Sequence, residues 1–258
     1  MKAKNMCLII SLVCILGFAT AANAEWHFGI GTGLAAMKAK GDQGINVAIA
    51  GIGPVTFDVD LTPSDFRDYM DSAIGLGGFA TDGKWIIQGA FGQLKLADKP
   101  KRTVGENTIS SDLSFDITTG ELTIGYPLYT ETGFVLRGYT GFRYIKHELD
   151  AKVLVNGETR IKRNIDENWT DFLLGISADV PLAEKWIWST KFDAGFGGSE
   201  GSYYLNSGVA WRFAAHWSTT LYGQFYAIEY ENGSKGDMDW YLYDVNESAL
   251  GLKIAYVW

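Results

Sequence analysis

The chain has 258 residues and a formal net charge of −8; 47% of it is hydrophobic, with 31 Gly, 13 Tyr, 14 Phe and 9 Trp against 5 Pro. That length admits one large β domain or two small ones, and the acidity argues against nucleic acid as a partner. A mean hydropathy near zero, with no apolar run of about 18 residues after residue 24, excludes a helical membrane protein and a disordered chain alike.

Residues 1–24 read as a secretory signal. Lys2 and Lys4 form a basic start, Cys7 to Ala22 an apolar core, and Ala22-Asn23-Ala24 a small-x-small cleavage site. Val13 stands before Cys14 where a lipoprotein signal needs a small residue. Both cysteines therefore leave with the leader, and residues 25–258 carry no thiol chemistry.

From Trp26 onward the chain alternates with period two, the signature of strands with one apolar face. Ten segments are expected as strands. The first is Trp26 to Ala36. A long insertion at 37–71 follows, read as an external loop with a short helix capped by Thr62 or Ser64, or else as two added strands. The second strand, Ser72 to Thr81, turns at Asp82-Gly83 into the third, Lys84 to Leu96. After a polar stretch at 97–112 comes the fourth, Leu113 to Tyr126. The fifth, from Phe134, has the clearest two-faced pattern: Phe134, Leu136, Phe142 and Tyr144 against Arg137, Tyr139 and Arg143. An extension at 147–168 turns at Asn156-Gly157. The remaining strands are Trp169 to Val180, Trp186 to Gly197, Tyr203 to Phe213, Trp217 to Tyr230 and a closing segment from Ser248 to Trp258. Further loops fall at 198–202 and 231–247.

Short turns alternate with mostly longer connections, and Trp26, Trp85, Tyr126, Trp186, Trp211, Trp217 and Trp258 collect beside the short turns or the termini. An aromatic girdle at one membrane interface predicts this placement. The fold expected is all-β: an antiparallel up-and-down transmembrane β-barrel of ten strands, with eight or twelve as alternatives. Only a closed barrel satisfies every strand backbone group in lipid.

The closing strand, with Tyr256 and a terminal Trp258, resembles the signal read by the bacterial barrel assembly machinery. It departs at Lys253, where that pattern commonly has Gly. Gly138-Tyr139-Thr140-Gly141-Phe142-Arg143-Tyr144, Trp169-Thr170-Asp171 and Asp193-Ala194-Gly195-Phe196-Gly197-Gly198-Ser199 resemble a broad family of proteobacterial outer-membrane β-barrels, loosely OmpA-like. The resemblance implies export to the outer membrane, a surrounding of lipid and lipopolysaccharide, and no established enzymatic activity.

Alternation points ten polar side chains at the lumen: Gln88, Glu121, Arg137, Arg143, Asp171, Lys191, Asp193, Arg212, Gln224 and Lys253. They line either a narrow conducting path or a plug of ion pairs that stabilises the barrel. His27, His147 and His216 do not come together with a nucleophile and a carboxylate on this strand map, so no enzyme, metal or cofactor is expected. The acidic set Glu229, Glu231, Asp237, Asp239, Asp244 and Glu247 lacks EF-hand spacing. Lys99, Lys101, Arg102, Arg160, Lys162 and Arg163 fall on external segments and suit lipopolysaccharide phosphates. The functional expectation is a structural or narrow porin-like barrel, with a surface adhesin acting through its loops as the alternative.

Overall fold

The computed structural model describes residues 25–49, 52–104 and 107–258; the expected signal at 1–24 lies outside them. Twelve strands and one helix follow in order. They are β1 (His27–Ile49), β2 (Ile52–Leu61), α1 (Pro63–Tyr69), β3 (Met70–Thr81), β4 (Ile86–Asp98), β5 (Lys101–Val104) and β6 (Asn107–Glu131). Then come β7 (Phe134–Val155), β8 (Glu158–Ala183), β9 (Trp186–Phe196), β10 (Gly201–Arg212), β11 (Trp217–Asn232) and β12 (Tyr241–Val257).

Ten of these strands close an antiparallel ring in the order β12-β11-β10-β9-β8-β7-β6-β4-β3-β1, sealed by β12 against β1. The seam runs from Gly29 opposite Val257 up to Ile45 opposite Tyr241. Phe28 and Trp258 exchange both backbone hydrogen bonds at its lower end, at 3.1 and 3.0 Å. The seam between β12 and β1 is paired along its length, while β1 meets β3 only from His27 to Thr32.

The outward face is oily where the sequence alternates. Leu34, Leu122, Phe142, Leu174, Leu221, Leu250 and Leu252 are all more than half exposed. A continuous belt of this kind, ringing the whole molecule, belongs in a bilayer rather than in water. Below it lies the girdle: Trp85 packs on Tyr126 at 4.8 Å between ring centres, Trp186 stacks on Trp211 at 5.8 Å, and Trp217 meets Tyr256 at 5.1 Å. The belt ends above where the outer face turns charged. There Lys146 bridges Glu148 and Asp166 at 2.9 and 3.2 Å, and Lys95 faces Asp116 at 3.8 Å.

Strands β6, β7 and β8 have 25, 22 and 26 residues, where about ten tilted residues cross a bilayer. The excess projects outward as continuous sheet. The segments 97–112 and 147–168, expected as loops, are therefore mostly strand, joined at Asn156 (φ 51°) and Gly157 (φ 85°), the left-handed pair a two-residue hairpin requires. The insertion at 37–71 likewise becomes the upper half of β1, then β2, then α1. Thr62 caps α1 in a reciprocal box with Asp65, with Pro63 in its first turn. The strands run on because their alternation does not stop at the membrane surface: Val55, Phe57, Val59 and Leu61 keep period two, as do Leu149, Ala151 and Val153.

Candidate functional site

The buried part of the interior falls in two layers, while the inward-facing Gly33 and Ala35 of β1 and Ala90 of β4 are exposed. The lower layer lies level with the lipid belt, since Leu122, Phe142 and Phe192 are its outward neighbours. Arg143 on β7 donates through Nε and Nη2 to Glu121 of β6 at 3.0 and 2.6 Å, and through Nη2 to Asp193 of β9 at 3.2 Å. Lys191 of β9 donates to the other oxygen of Glu121. Tyr139 donates its hydroxyl to Asp193 at 2.7 Å. Two cations and two carboxylates thus balance. The Arg143 guanidinium lies 5.0 and 4.9 Å from the ring centres of Tyr204 and Tyr226, and the Lys191 ammonium 4.8 Å from that of Tyr139. The Arg143 and Asp193 side chains are 6% and 0% exposed, so these charges are spent on one another rather than offered to a passing solute. Gly175 makes this possible: a Cβ there would stand 2.4 Å from the Tyr139 ring.

The upper layer is aromatic. His147 of β7 makes ring contacts with Phe115, Trp169, Tyr241 and Tyr243, from β6, β8 and β12. Its Nδ1 shares a hydrogen bond of 2.8 Å with the Tyr241 hydroxyl, which also accepts from Gln43 of β1 at 3.1 Å. Trp169 stacks on Tyr230 at 4.0 Å. Ile145, Tyr241 and Val245 are at most 1% exposed. This layer sits just above the lipid, because the outward neighbours of His147 are the charged Lys146 and Glu148. Burial pushes the His147 imidazole down to about 3, so it is neutral at any physiological pH.

The ten polar residues expected in the lumen divide by height. Glu121, Arg143, Lys191 and Asp193 form the ionic layer. Asp171 is a loop anchor: it accepts from the Gly198 and Ser199 amides and from the Ser199 and Ser202 hydroxyls, holding the β9–β10 connection. Arg137 pairs with Asp179 lower down. Lys253 lies 4.1 Å from the centre of the Tyr222 ring, and Gln88 and Gln224 are half-buried on the wall. Arg212 departs from the expectation. As the last residue of β10 it overshoots the lumen, lies exposed at the periplasmic rim and donates to the Glu184 carbonyl at 3.1 Å.

The six external cations do not form one patch. Lys99 pairs with Asp112 at 3.4 Å and Arg160 with Glu158 at 2.8 Å. Arg163, on the inner face of β8, donates across the mouth to the Met238 carbonyl at 2.5 Å. Lys101, Arg102 and Lys162 are exposed and have no ion pair among the described residues. The acidic set is also partly committed: Glu231 accepts from the Trp240 indole at 2.6 Å and Glu247 from the Tyr243 hydroxyl at 2.9 Å. No group of three or more metal-ligating side chains occurs among the described residues.

The central role of His147 went unread in the sequence, although its signal was there. It keeps the inward phase of Arg137, Tyr139, Gly141, Arg143 and Ile145; placing the strand's end too early set it at a loop base.

No protein-family model matches the chain, and no curated protein matches it. Among solved structures it is similar to the outer membrane protease OmpT from Escherichia coli, with a TM-score of 0.56 and 9% identity over 93% of this chain and 99% of that one. It is also similar to the translocator domain of the autotransporter NalP from Neisseria meningitidis, with a TM-score of 0.51 and 10% identity over 98% and 96%. The chain is a bacterial outer-membrane β-barrel in fold, and its lipid-facing belt places it in that membrane. The likeness to OmpT corrects one expectation. No enzyme was expected from the sequence, yet the architecture is one that a protease also uses. At 9% identity this is a likeness of fold, and it assigns no catalytic residue.

Proposed function

We propose that this protein is a surface interaction protein, an outer-membrane anchor that presents a built external rim to a partner. The observation that carries the reading is the contact of His147 with Tyr241 and Tyr243. β7 and β12 are five strands apart in either direction round the ring, so side chains meeting between them span the full width of the lumen. A barrel crossed at its outer mouth by packed rings, above a neutralised ionic layer, favours presentation over passage of solutes. The strand extensions of β1, β2, β6, β7 and β8 supply the surface to present. They are paired sheet rather than loose loop, which lowers the ordering cost of binding.

Two partner expectations keep their place in this reading. Lys101, Arg102 and Lys162 suit lipopolysaccharide phosphates above the outer leaflet, and Tyr256 with Trp258 suits the assembly machinery.

Two measurements made together test the proposal. Purified barrel in planar bilayers is expected to be silent, and cells displaying it are expected to bind a surface or neighbouring cell that cells lacking it do not. Steady single-channel openings with no gain of adhesion would return the protein to the porin-like reading.

A further inference from the structure

The wall above the membrane has an opening. The upper part of β1, from Ala39 to Ile49, pairs with β2, while its lower part, His27 to Thr32, pairs with β3. β2 thus stands above β3 on the same side of β1, with α1 in the step between them, its Phe66 packed on the aromatic layer. β3 continues to β4, and β4 to β6. Among the described residues β2 pairs with β1 alone. Its other edge is an open row of backbone donors and acceptors.

Exposed edges are commonly blunted by lysines, prolines or bulges, because they template pairing with any extended chain. From Val55 to Leu61 this edge has no Lys and no Pro. Its side chains are sorted by face. Phe57 and Leu61 lie opposite the buried Gln43 and Ala39 of β1, so odd positions face the mouth; Val55 and Phe57 are still 38% and 40% exposed there. Even positions face outward and carry Asp58 and Asp60, both exposed, neither with an ion pair among the described residues.

Resting on the interaction role above, we propose that the free edge of β2 captures an extended protein segment by strand addition, one with basic residues alternating with apolar ones. Main-chain bonds supply the affinity. Asp58 and Asp60 select basic side chains on one face, and Val55 and Phe57 take apolar ones on the other. A second copy of this chain fits worse, since an antiparallel pairing of two β2 edges brings four carboxylates to one short seam.

The full-length barrel folded in nanodiscs is titrated with a short acetylated peptide of alternating Lys and Val, followed by fluorescence anisotropy. Saturable binding is expected. It is expected to fall about tenfold or more when every second peptide amide is N-methylated, since that removes the ladder bonds and keeps the charge. It is expected to fall roughly tenfold in the Asp58→Asn/Asp60→Asn variant, whose strand circular dichroism and thermal midpoint serve as the folding control. Equal binding by the N-methylated peptide, or by an alternating Glu and Val peptide, overturns strand addition. So does a disulfide between two barrels carrying Thr56→Cys, which makes the occupant a second copy. Cell adhesion separates this site from the wider role: adhesion kept in the Asp58→Asn/Asp60→Asn variant removes β2 and leaves the interaction reading, whereas absent adhesion in the unaltered protein removes that reading itself.

Discussion

His147 and Tyr241 reach each other across the whole diameter of the barrel and share a hydrogen bond at its centre, 2.8 Å long. The outer mouth is therefore crossed by a brace between two wall strands, and the β11–β12 connection lies over it, its Met238 carbonyl accepting from Arg163 and its Gly236 and Asp237 carbonyls from the Asn46 side chain.

The first prediction tests that brace. Trimming Trp169 and His147 together to Ala removes two rings from the centre of the upper layer and leaves the ionic layer as the narrowest point. Large-to-small changes at fully buried aromatic positions cost about 3–5 kcal/mol each. A lowered unfolding midpoint is expected, together with intermittent conductance where the unaltered protein is expected to be silent. Planar-bilayer recording on refolded protein measures it. A double variant that is equally stable and equally silent shows that the rings do not hold the mouth.

The His147 imidazole also gives a pH dependence with a definite sign. Its folded pKa, about 3, lies below the ordinary value near 6.5, so the unfolded chain binds the extra proton first. Stability is then complete above pH ~6.5 and falls as the pH drops toward 3, by up to about 1.4 kcal/mol per unit. The groups packed on the ring are Phe115, Trp169, Tyr241 and Tyr243, none of which titrates in that range. Comparing chemical unfolding of the protein and of His147→Gln between pH 7 and pH 5 isolates the contribution. The variant is expected to lose the slope; parallel curves would mean that the imidazole is charged or reaches water.

The ionic layer predicts an asymmetry. Arg143→Met leaves Glu121 and Asp193 facing Lys191 alone, and breaking a buried pair from one side costs about 3–5 kcal/mol. Neutralising the whole set, with Arg143→Met, Glu121→Gln, Asp193→Asn and Lys191→Met, is expected to cost less than the single change, because no charge is left uncompensated. Urea unfolding of the two variants decides it.

Much of this architecture was legible in the residues because a lipid-facing barrel writes its faces at period two. The ten-strand ring, the girdle from Trp85 to Trp258 and the Asn156-Gly157 turn all follow from that pattern. What alternation does not encode is where a strand leaves the membrane, since Leu149 and Val153 alternate as faithfully as Leu136 and Phe142. The external sheet was read as loops for that reason. Nor does one strand's phase tell which partner waits across the lumen. Arg143, Glu121 and Asp193 were all placed inward, but their meeting depends on ring order and register, and so does the pairing of His147 with Tyr241. The anchoring role of Asp171 was not legible because it depends on two amides and two hydroxyls that the fold of the β9–β10 connection brings to it.

The last prediction concerns the seam. The Phe28 and Trp258 main chains exchange both hydrogen bonds, and the Trp258 ring stacks on Phe28 at 5.9 Å. Trp258→Ala keeps the backbone exchange and removes the ring; deleting Trp258 removes both. If the ring is read during assembly, Trp258→Ala lowers the amount inserted in cells while refolding from urea into detergent proceeds as before. If the residue acts only by closing the ring, Trp258→Ala inserts normally, and the deletion loses stability in both settings. Membrane yield in cells and refolded yield in detergent, measured for both variants, separate recognition from closure.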